Sequence, residues 1–237
     1  MTSFDYESIW EDVWGDMQRF GPTHRHHRRI FSQLLSKIPR DEIATIADIG
    51  CGEGSNLLYL ATEFPRAQLF GFDISQTALE RARTRVQATL ATLDIQKEAP
   101  GGSFDLVICA DVIEHIEDDC GTFAHIHQAT GKYALFSSVQ GQMREFERSI
   151  GHVRSYAPGE LKKKLETAGF RILQIVEWGF PLFSPIYRNL FDKPAYEGAS
   201  HGQYGFSKKL ACNVLYSAFF LNSMHKGDVI FALVAKD

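Results

Sequence analysis

Residues 110–118, ADVIEHIED, contain a dense group of side chains that can move protons or bind metal ions. If this segment is helical, the i, i+3 and i+4 spacing places Asp111, Glu114 and His115 on one face. Two carboxylates and an imidazole are typical ligands of a divalent ion. An imidazole can also act as a general base near neutral pH. His152, in IGHVRSYAPGEL, is a second imidazole that we expect to lie nearby, because both segments follow carboxyl ends of predicted strands.

A glycine-rich turn in ADIGCGEGSNLLYLA, residues 47–61, indicates a ligand that lies close to the backbone. Dinucleotide-binding turns have the spacing G-x-G-x-x-G and hold a pyrophosphate at a helix N-terminus. Here Gly50, Gly52 and Gly54 have the spacing G-x-G-x-G. Asp73, nineteen residues after Gly54, can accept hydrogen bonds from a ribose diol. The pattern favours a nucleoside ligand, with Asp73 as a simple cap of the helix near Ser75 as the alternative.

Alternating apolar runs and helical patterns from residue 44 onward predict the elements that position these residues. The predicted strands are TIADIG, AQLFGFDIS, ATLDI, SFDLVICADV, KYALFSSV, RILQIVEW and DVIFALVAK. Helical patterns separate most of them, for example Ser75 to about Ala88. Repeated units of this kind predict an α/β fold with a doubly wound, mostly parallel sheet. Ligands bind such sheets beyond the carboxyl ends of the strands.

Four ordered segments resemble motifs of the class I S-adenosylmethionine-dependent methyltransferases. IADIGCGEG is similar to the first motif, GFDIS to the second, LDI to the third, and FDLVICADVIEHIEDD to the segment after strand four. The likeness runs from about residue 44 to 178 and resumes in the final strand. It implies a Rossmann-like sheet of seven strands whose last strand is antiparallel, with helices on both faces. It also implies S-adenosylmethionine, which has no phosphates, as the cofactor.

The resemblance implies roles for individual residues in binding this cofactor. Asp48 and the glycines would surround its methionine part, and Asp73 would bind the ribose hydroxyls. Asp94 would lie at the adenine amino group with Ile95 beside the ring. The cofactor-binding residues expected in this way are Asp48, Gly50, Cys51, Gly52, Gly54, Asp73, Ile74, Asp94, Ile95, Ala110, Asp111 and, as a hypothesis, Arg28.

Two interpretations of the group around Glu114 remain open. The motif pattern is most similar to the ubiquinone-pathway O-methyltransferases, in which an E-x-x-E-H segment binds a divalent ion; small-RNA 2′-O-methyltransferases share this feature. By that likeness Asp111, which replaces the first Glu, would bind Mg²⁺ or Mn²⁺ together with Glu114, His115 and His152, and the ion would lower the pKa of a substrate hydroxyl. The favoured interpretation has no metal, since many methyltransferases use an E-H pair here to orient the loop and the cofactor. His152 is then the leading candidate for the general base, with His115 and Glu114 as its catalytic neighbours.

Three further residues are candidates for binding the substrate. Arg154 and Tyr156 follow His152, and an arginine can hold a carboxylate or a phosphate. Arg154 can equally pair with the acidic segment EFERS, and the sequence leaves both open. Trp14 belongs to a stripe of aromatic residues spaced by four, which is typical of a packed helix that can also cover a cofactor.

The domain organisation follows from the position of the motifs. We expect a helical N-terminal cap over residues 1–40, a methyltransferase core over 41–178 and 226–237, and a lid over 179–225. The lid is rich in aromatic residues: Phe180, Phe183, Tyr187, Phe191, Tyr196, Tyr204 and Phe206. We therefore expect in-line methyl transfer to a small, hydrophobic or ring-bearing acceptor, with O-methylation favoured. The lid segments could instead contact a membrane surface and take a lipid-linked substrate, although a helix pair packed on the core is the favoured interpretation.

Composition restricts the remaining classes of function. The 237 residues are 44% hydrophobic, which suffices for one α/β domain and a subdomain. A net charge of -4 argues against a nucleic-acid partner. Four cysteines without a CxxC pair, an acidic N-terminus unlike a signal peptide, and no apolar run near ~20 residues predict a cytoplasmic protein without a transmembrane segment. An NAD-dependent oxidoreductase and a non-catalytic cofactor-binding protein are less favoured alternatives. The sequence does not indicate the oligomeric state.

Overall fold

The computed structural model describes residues 16–192 and 203–237, and its centre is a seven-stranded sheet. The strands are β1 (Thr45–Ile49), β2 (Gln68–Asp73), β3 (Thr89–Thr92), β4 (Phe104–Ala110), β5 (Thr130–Val139), β6 (Phe170–Trp178) and β7 (Val229–Lys236). Their order is β3-β2-β1-β4-β5-β7-β6. The first five strands are parallel, and β7 is antiparallel to both of its neighbours. The predicted doubly wound sheet with an antiparallel last strand is confirmed.

Helices connect the strands and cover both faces of the sheet. They are α1 (Met17–Phe20), α2 (Pro22–Leu35), α3 (Ser55–Glu63), α4 (Gln76–Arg83), α5 (Asp119–Ala129), α6 (Glu145–Ser149), α7 (Glu160–Thr167), α8 (Arg188–Leu190) and α9 (Phe206–Ala218). Single turns of 3₁₀-helix cover Arg40–Glu42, Ile113–His115 and Phe219–Leu221, and a π-helical turn covers Phe183–Tyr187. Helix α4 ends about one turn earlier than the sequence predicts, because the Thr84 hydroxyl donates to the Arg81 carbonyl at 2.8 Å and competes with further helix.

Two apolar layers form the core, one on each face of the sheet. Along β4, Leu106 and Ile108 point to the layer under α2 and α3, whereas Val107 and Cys109 point to the layer under α5 and α7. Because side chains alternate along a strand, a strand buried on both faces must be apolar throughout. This explains why the strongest strand prediction is confirmed at this position.

The predicted N-terminal cap and the predicted lid contact each other through α2 and α9. The Arg25 guanidinium donates to Asn213 Oδ1 at 2.8 Å. His26 is fully buried, with its Nε2 2.9 Å from the Tyr216 carbonyl oxygen and its ring stacked on Trp178. The division into 1–40, 41–178 with 226–237, and 179–225 stays a prediction. Trp14 lies outside the described residues, as do Tyr6, Trp10 and Tyr196.

We predict that Gly227→Ala destabilises the fold where the chain enters β7. A Cβ at Gly227 would overlap the backbone carbonyl of Trp178, which cannot move without disturbing β6. Overpacking of this kind costs about 1–3 kcal/mol. Chemical denaturation should show this loss, whereas Gly101→Ala, where a Cβ meets nothing within 4 Å, should change stability by less than about 0.5 kcal/mol. Equal effects of the two substitutions would contradict the steric argument.

Candidate active site

A cavity of about 1400 Å³ lies at the carboxyl ends of the parallel strands, where the sequence predicts ligand binding. Residues that directly follow β1, β2, β3 and β4 form one side of it, and residues of α2 and α9 contribute the other. Pockets for a single small molecule commonly measure about 300–1,000 Å³. The cavity is therefore large enough for a cofactor and an acceptor together.

The glycine turn after β1 has the backbone geometry that its sequence predicts. Gly50, Gly52 and Gly54 have φ angles of 69°, 52° and 83°, a region that L-residues with side chains rarely adopt. A side chain at Gly50 would also overlap Val112. The Gly50 amide donates to the Phe72 carbonyl at 2.7 Å, which ties the turn to the end of β2.

The Asp73 carboxylate holds the same turn from the end of β2. It accepts hydrogen bonds from the Gly52 amide at 2.7 Å and from the Ser75 amide at 2.9 Å. Ser75, and not Asp73, is the N-cap of α4, since its hydroxyl accepts from the Ala78 amide at 3.1 Å. The Asp73 carboxylate also belongs to the lining of the cavity, within reach of a ligand there.

Asp48 lies beneath the glycine turn and is fully buried. Neither of its carboxylate oxygens has a hydrogen-bond partner within the described part of the chain. Burial, and to a lesser degree the charge of Asp73, raises the pKa of Asp48 well above its ordinary value. Asp48 and Gly54 are not among the described residues that line the cavity, so the structure places them behind its wall.

The other candidate cofactor residues line the cavity: Gly50, Cys51, Gly52, Asp73, Ile74, Asp94, Ile95, Ala110, Asp111 and Arg28. Asp94 accepts from the Gln96 amide at 3.1 Å and pairs with Lys97 at 2.9 Å. Arg28 donates to the Gln18 carbonyl at 2.9 Å and has no carboxylate partner within residues 16–192 and 203–237. Its charge is therefore open to an anionic group of a ligand.

Asp111 is placed differently from the sequence prediction. The segment is not α-helical: Asp111 has a φ of 57°, and only the single 3₁₀ turn Ile113–His115 follows. The Asp111 carboxylate accepts from the Ser137 hydroxyl at 2.8 Å and lies 3.2 Å from His27 Nδ1. Burial alone would raise the pKa of Asp111, but His27, together with the Ser137 hydroxyl and His24, holds this pKa below its ordinary value. Asp111 therefore does not share one helical face with Glu114 and His115.

Glu114 brings the two predicted imidazoles together through its backbone. Its carbonyl accepts from the Val153 amide at 2.9 Å and the Arg154 amide at 3.3 Å, which fixes the loop after β5 against the loop after β4. The rings of His115 and His152 consequently meet edge to face, with centroids 4.5 Å apart. The Glu114 side chain is buried and bonded to the Ser138 hydroxyl at 2.9 Å.

Burial controls the charge states in this cluster. It raises the pKa of Glu114 to about 8, assisted by the negative charge of Asp111. It lowers the pKa of His152 to about 3, assisted by the neighbouring His115. Near neutral pH the Glu114 carboxyl is therefore largely protonated and the His152 imidazole is neutral. His152 Nδ1 is buried and has no hydrogen-bond partner within the described residues.

Three of the four predicted metal ligands lie together. Glu114, His115 and His152 each offer a ligand atom, and these atoms are within 4.8 Å of one another. One carboxylate and two imidazoles suit a borderline divalent ion. A metal would be bound by the ionised form of Glu114 and the neutral forms of both imidazoles. The cluster thus matches a metal site in its donor atoms, and Asp111 is bonded to His27 instead.

Arg154 and Tyr156 do not line the cavity among the described residues, which revises their expected role in substrate binding. Both bind the buried carboxylate of Asp119: the Tyr156 hydroxyl donates at 2.8 Å and Arg154 Nη1 lies at 2.7 Å. Lys164 Nζ contacts the same oxygen at 2.7 Å. Because its guanidinium is bonded to Asp119 and donates to the Glu117 carbonyl at 2.6 Å, Arg154 forms no ion pair with the EFERS segment among the described residues.

Two arginines that the sequence does not single out line the cavity instead. Arg144 pairs with Asp228 at 2.9 Å, and Arg188 pairs with the same carboxylate at 3.1 Å and with Glu147. Arg144 also donates to the Ser184 carbonyl at 3.0 Å. These ion pairs join the π-helical turn to α6, and their partners are too distant in sequence to be recognised from spacing.

The sequence also does not indicate that histidines of α2 line the cavity. His24 and His27 both line the cavity, and burial, with a smaller effect of His27, lowers the pKa of His24 to about 4. The available signal is the spacing of His24, His27 and Phe31, which are three and then four residues apart on one helix face. The partners of His27 are Asp111 and Phe231, which lie too far away in sequence to be recognised from spacing.

Comparisons with known proteins agree on one class of enzyme. Residues 23–175 match the family model described as a methyltransferase domain. A trans-aconitate 2-methyltransferase of Azoarcus sp. (strain BH72) is 30% identical over 184 residues, covering 75% of this chain and 70% of the relative. Further relatives of that name are matched over only 37% and 42% of their own lengths.

Solved structures share the fold at low sequence identity. A methyltransferase of Haloferax volcanii, solved in complex with the activator Trm112, aligns with a TM-score of 0.64 and 16% identity over 98% of this chain and 97% of its own. The magnesium protoporphyrin IX methyltransferase of Synechocystis PCC 6803, solved with bound S-adenosylmethionine, aligns with a TM-score of 0.57 and 16% identity over 91% of this chain and 82% of its own.

We predict that Glu114→Gln changes how stability depends on pH. The unfolded chain releases the Glu114 proton near its ordinary pKa of 4.5, whereas the folded chain holds it to about pH 8. Across that interval the folded state binds more protons, so Glu114 lowers stability as the pH rises, by about 1.4 kcal/mol per pH unit. Relative to the parent protein, the variant should therefore become more stable as the pH rises from about 5 to about 7. Chemical denaturation at each pH measures this difference.

The exposed substitution Glu166→Gln serves as the control for denaturation at each pH. A stability difference between Glu114→Gln and the parent protein that is the same at every pH would show that Glu114 is ionised in the folded state.

Proposed function

Because the chain belongs to the family of methyltransferase domains, we propose that it transfers the methyl group of S-adenosylmethionine to an oxygen of a small, largely apolar acceptor. Membership confirms the class I methyltransferase resemblance, the enzyme class and S-adenosylmethionine as the cofactor. It also removes support from the NAD-dependent oxidoreductase and from a purely binding protein. The observation that carries the rest of the proposal is the cavity, whose two halves differ in character.

The cofactor half of the cavity comprises the glycine turn, the ends of β2 and β3, and Arg28. The turn brings backbone close to the ligand, and the Asp73 carboxylate lines the cavity, where ribose hydroxyls can donate to it. Ile74 and Ile95 provide apolar surface beside Asp94 for the adenine ring. Arg28 is the candidate partner of the cofactor carboxylate, since its charge is not neutralised within the described part of the chain.

The acceptor half comprises the histidine pair, α6, the π-helical turn and the inner side of α9. Its apolar wall consists of Phe146, Ile150, Phe183, Tyr187, Phe191, Tyr204 and Leu215. Its two buried arginines, Arg144 and Arg188, are already paired with Asp228 and Glu147. A charged acceptor would have to displace those pairs, which supports an uncharged acceptor with a ring or an apolar body.

The expected chemistry requires little beyond alignment. Methyl transfer is an in-line displacement from a cationic sulfonium, so a dry cavity that holds both reactants accounts for most of the rate. The neutral His152 imidazole can accept a hydrogen bond from the acceptor hydroxyl and take its proton as the oxygen–methyl bond forms. His115 and the protonated Glu114 support its position. These roles, including any metal at this cluster, are proposals.

A carboxylic acid is the second candidate acceptor, favoured by the similarity to the trans-aconitate 2-methyltransferase relative. Its carboxylate would need a cation in the acceptor half. Lys208 lines the cavity and is the group to consider, whereas burial lowers the pKa of His24 to about 4 and leaves that imidazole neutral. Methylation of a carboxylate needs no general base, because the nucleophile is already ionised at neutral pH.

We predict that labelled S-adenosylmethionine transfers its methyl group to apolar, ring-bearing alcohols and phenols and not to aconitate. Purified protein would be incubated with matched panels of both classes, and methylated products would be separated by mass. A chelator should leave the rate unchanged, since Asp111, the fourth predicted ligand, is bonded to His27 and Ser137, and Glu114 is bonded to Ser138. Turnover of aconitate alone would overturn the apolar assignment, and loss of activity with chelator would establish the metal hypothesis for Glu114, His115 and His152.

We also predict that His152→Asn lowers kcat on a hydroxyl acceptor by up to about 10²-fold, the low end of the range for a general base, because a pKa near 3 makes this imidazole a weak base. The KM for S-adenosylmethionine should change little, because the cofactor half is untouched. Since the pKa of His152 lies near 3, the parent enzyme should show no loss of kcat/KM attributable to this residue between pH 7 and pH 5. The exposed His225→Asn is the matched control. An unchanged kcat in His152→Asn would exclude this residue as the base.

A further inference from the structure

Exposed apolar side chains are concentrated in one segment of the described chain. Of the thirteen large hydrophobic residues that are exposed, nine lie between residues 180 and 221. They are Phe180, Ile186, Leu190, Phe191, Phe206, Leu210, Val214, Phe220 and Leu221. Scattered apolar residues on a surface need no explanation, but a concentration of this kind marks an interaction site.

Helix α9 is apolar on two opposite sides. Phe206, Leu210 and Val214 are spaced by four and form one stripe, exposed by 85%, 53% and 62%. Residues on the other side of the helix, such as Cys212 and Leu215, line the cavity. Packing on the core explains only the inner side, so the outer stripe requires another explanation.

The stripe continues onto neighbouring elements. Phe219 is buried and its ring packs against Tyr187 with centroids 5.3 Å apart, which joins the end of α9 to the π-helical turn. On either side of this contact, Leu221 and Ile186 are exposed by 75% and 56%. The apolar surface is therefore shared by adjacent elements and is not confined to one helix.

The charge around this surface is positive although the chain as a whole has a net charge of -4. Residues 203–227 contain three lysines and neither Asp nor Glu, and α2, which packs on α9, contains three arginines and no acid. Arg29 lies over the Phe220 ring at 4.9 Å and Lys226 lies over the Phe180 ring at 4.2 Å. Two acids of the described residues border this region: Asp16, 3.7 Å from Lys209, and Asp192, which follows Leu190 by two residues and accepts from the Glu145 amide at 2.7 Å.

We propose that the docking face, formed by Ile186, Leu190, Phe206, Leu210, Val214 and Leu221, binds the surface of an anionic lipid membrane. Exposed Phe and Leu side chains beside Lys and Arg are typical of elements that lie in the lipid interface. A two-fold contact between two copies would place the same cations opposite one another, which disfavours a homodimer. No helix within the described residues is long and apolar enough to cross a bilayer, so the contact is peripheral.

Membrane binding would bring the cavity to an acceptor dissolved in the lipid. This link to an acceptor rests on the proposed function, whereas membrane binding itself does not. The elements of the docking face also form the apolar wall of the acceptor half, through Phe183, Tyr187 and Leu215. An apolar acceptor dissolved in the lipid would therefore reach the cavity between side chains of one segment, with little exposure to water.

The test is flotation of the full chain with phosphatidylcholine vesicles, with and without phosphatidylserine, in the absence of any acceptor. The parent protein should float with the anionic vesicles and lose binding as salt is raised. The double substitution Leu210→Glu and Val214→Glu should reduce binding at least about ten-fold, because it removes apolar contact and adds negative charge. Leu58→Glu, on α3 and 36% exposed, is the matched control and should bind as the parent does.

Sedimentation equilibrium and methyl transfer to a water-dispersed acceptor complete the experiment. The double variant should retain the parent's turnover of that acceptor, which separates membrane binding from catalysis. Absence of flotation with anionic vesicles, or an equal loss in Leu58→Glu, would overturn the docking face while leaving the methyltransferase proposal intact. A parent dimer that the double variant converts to monomers would overturn it in favour of an interface between copies.

Discussion

The active side of this molecule depends on Glu114, which holds two loops of the sheet edge together. Its backbone carbonyl accepts the amides of Val153 and Arg154, and its carboxyl contacts the Ser138 hydroxyl at the end of β5. Parallel strands bring loops to one edge, but they do not by themselves fix one loop against another. These bonds place His152 beside His115, with ring centroids 4.5 Å apart, and both imidazoles line the cavity.

Features with a local physical cause could be predicted from the sequence. The strands were recognisable because a strand buried on both faces must be apolar, and the glycine turn because its φ angles exclude side chains. Asp73 could be placed at this edge of the sheet from its position at the end of β2. Features that depend on partners distant in sequence could not be predicted: Arg154 is bonded to Asp119, and Asp111, with a φ of 57°, is bonded to His27.

The two halves of the cavity come from different parts of the chain. The family match covers residues 23–175. The cofactor half, which consists of the glycine turn, the ends of β2 and β3, and Arg28, lies within this range. Much of the acceptor half comes from residues 183–215, outside the match. Similarity to other methyltransferases therefore constrains the cofactor strongly and the acceptor weakly. The pairing of Arg144 and Arg188 with Asp228 and Glu147 is better evidence about the acceptor, because it shows which charges remain for a ligand.

The buried ion pairs also explain how one segment can be apolar on both sides and still keep a defined position. An apolar element with no polar anchor could slide or rotate on the core at little cost, since hydrophobic contacts are not directional. Arg188 and Arg144 provide direction: the first links α8 to Asp228 and Glu147, and the second bonds the Ser184 carbonyl of the π-helical turn. Asn222 adds a second anchor, since its side-chain oxygen accepts from the Leu182 amide at 2.8 Å. With the backbone fixed by these polar contacts, the aromatic side chains facing the cavity and the apolar side chains facing outward can be selected independently of each other.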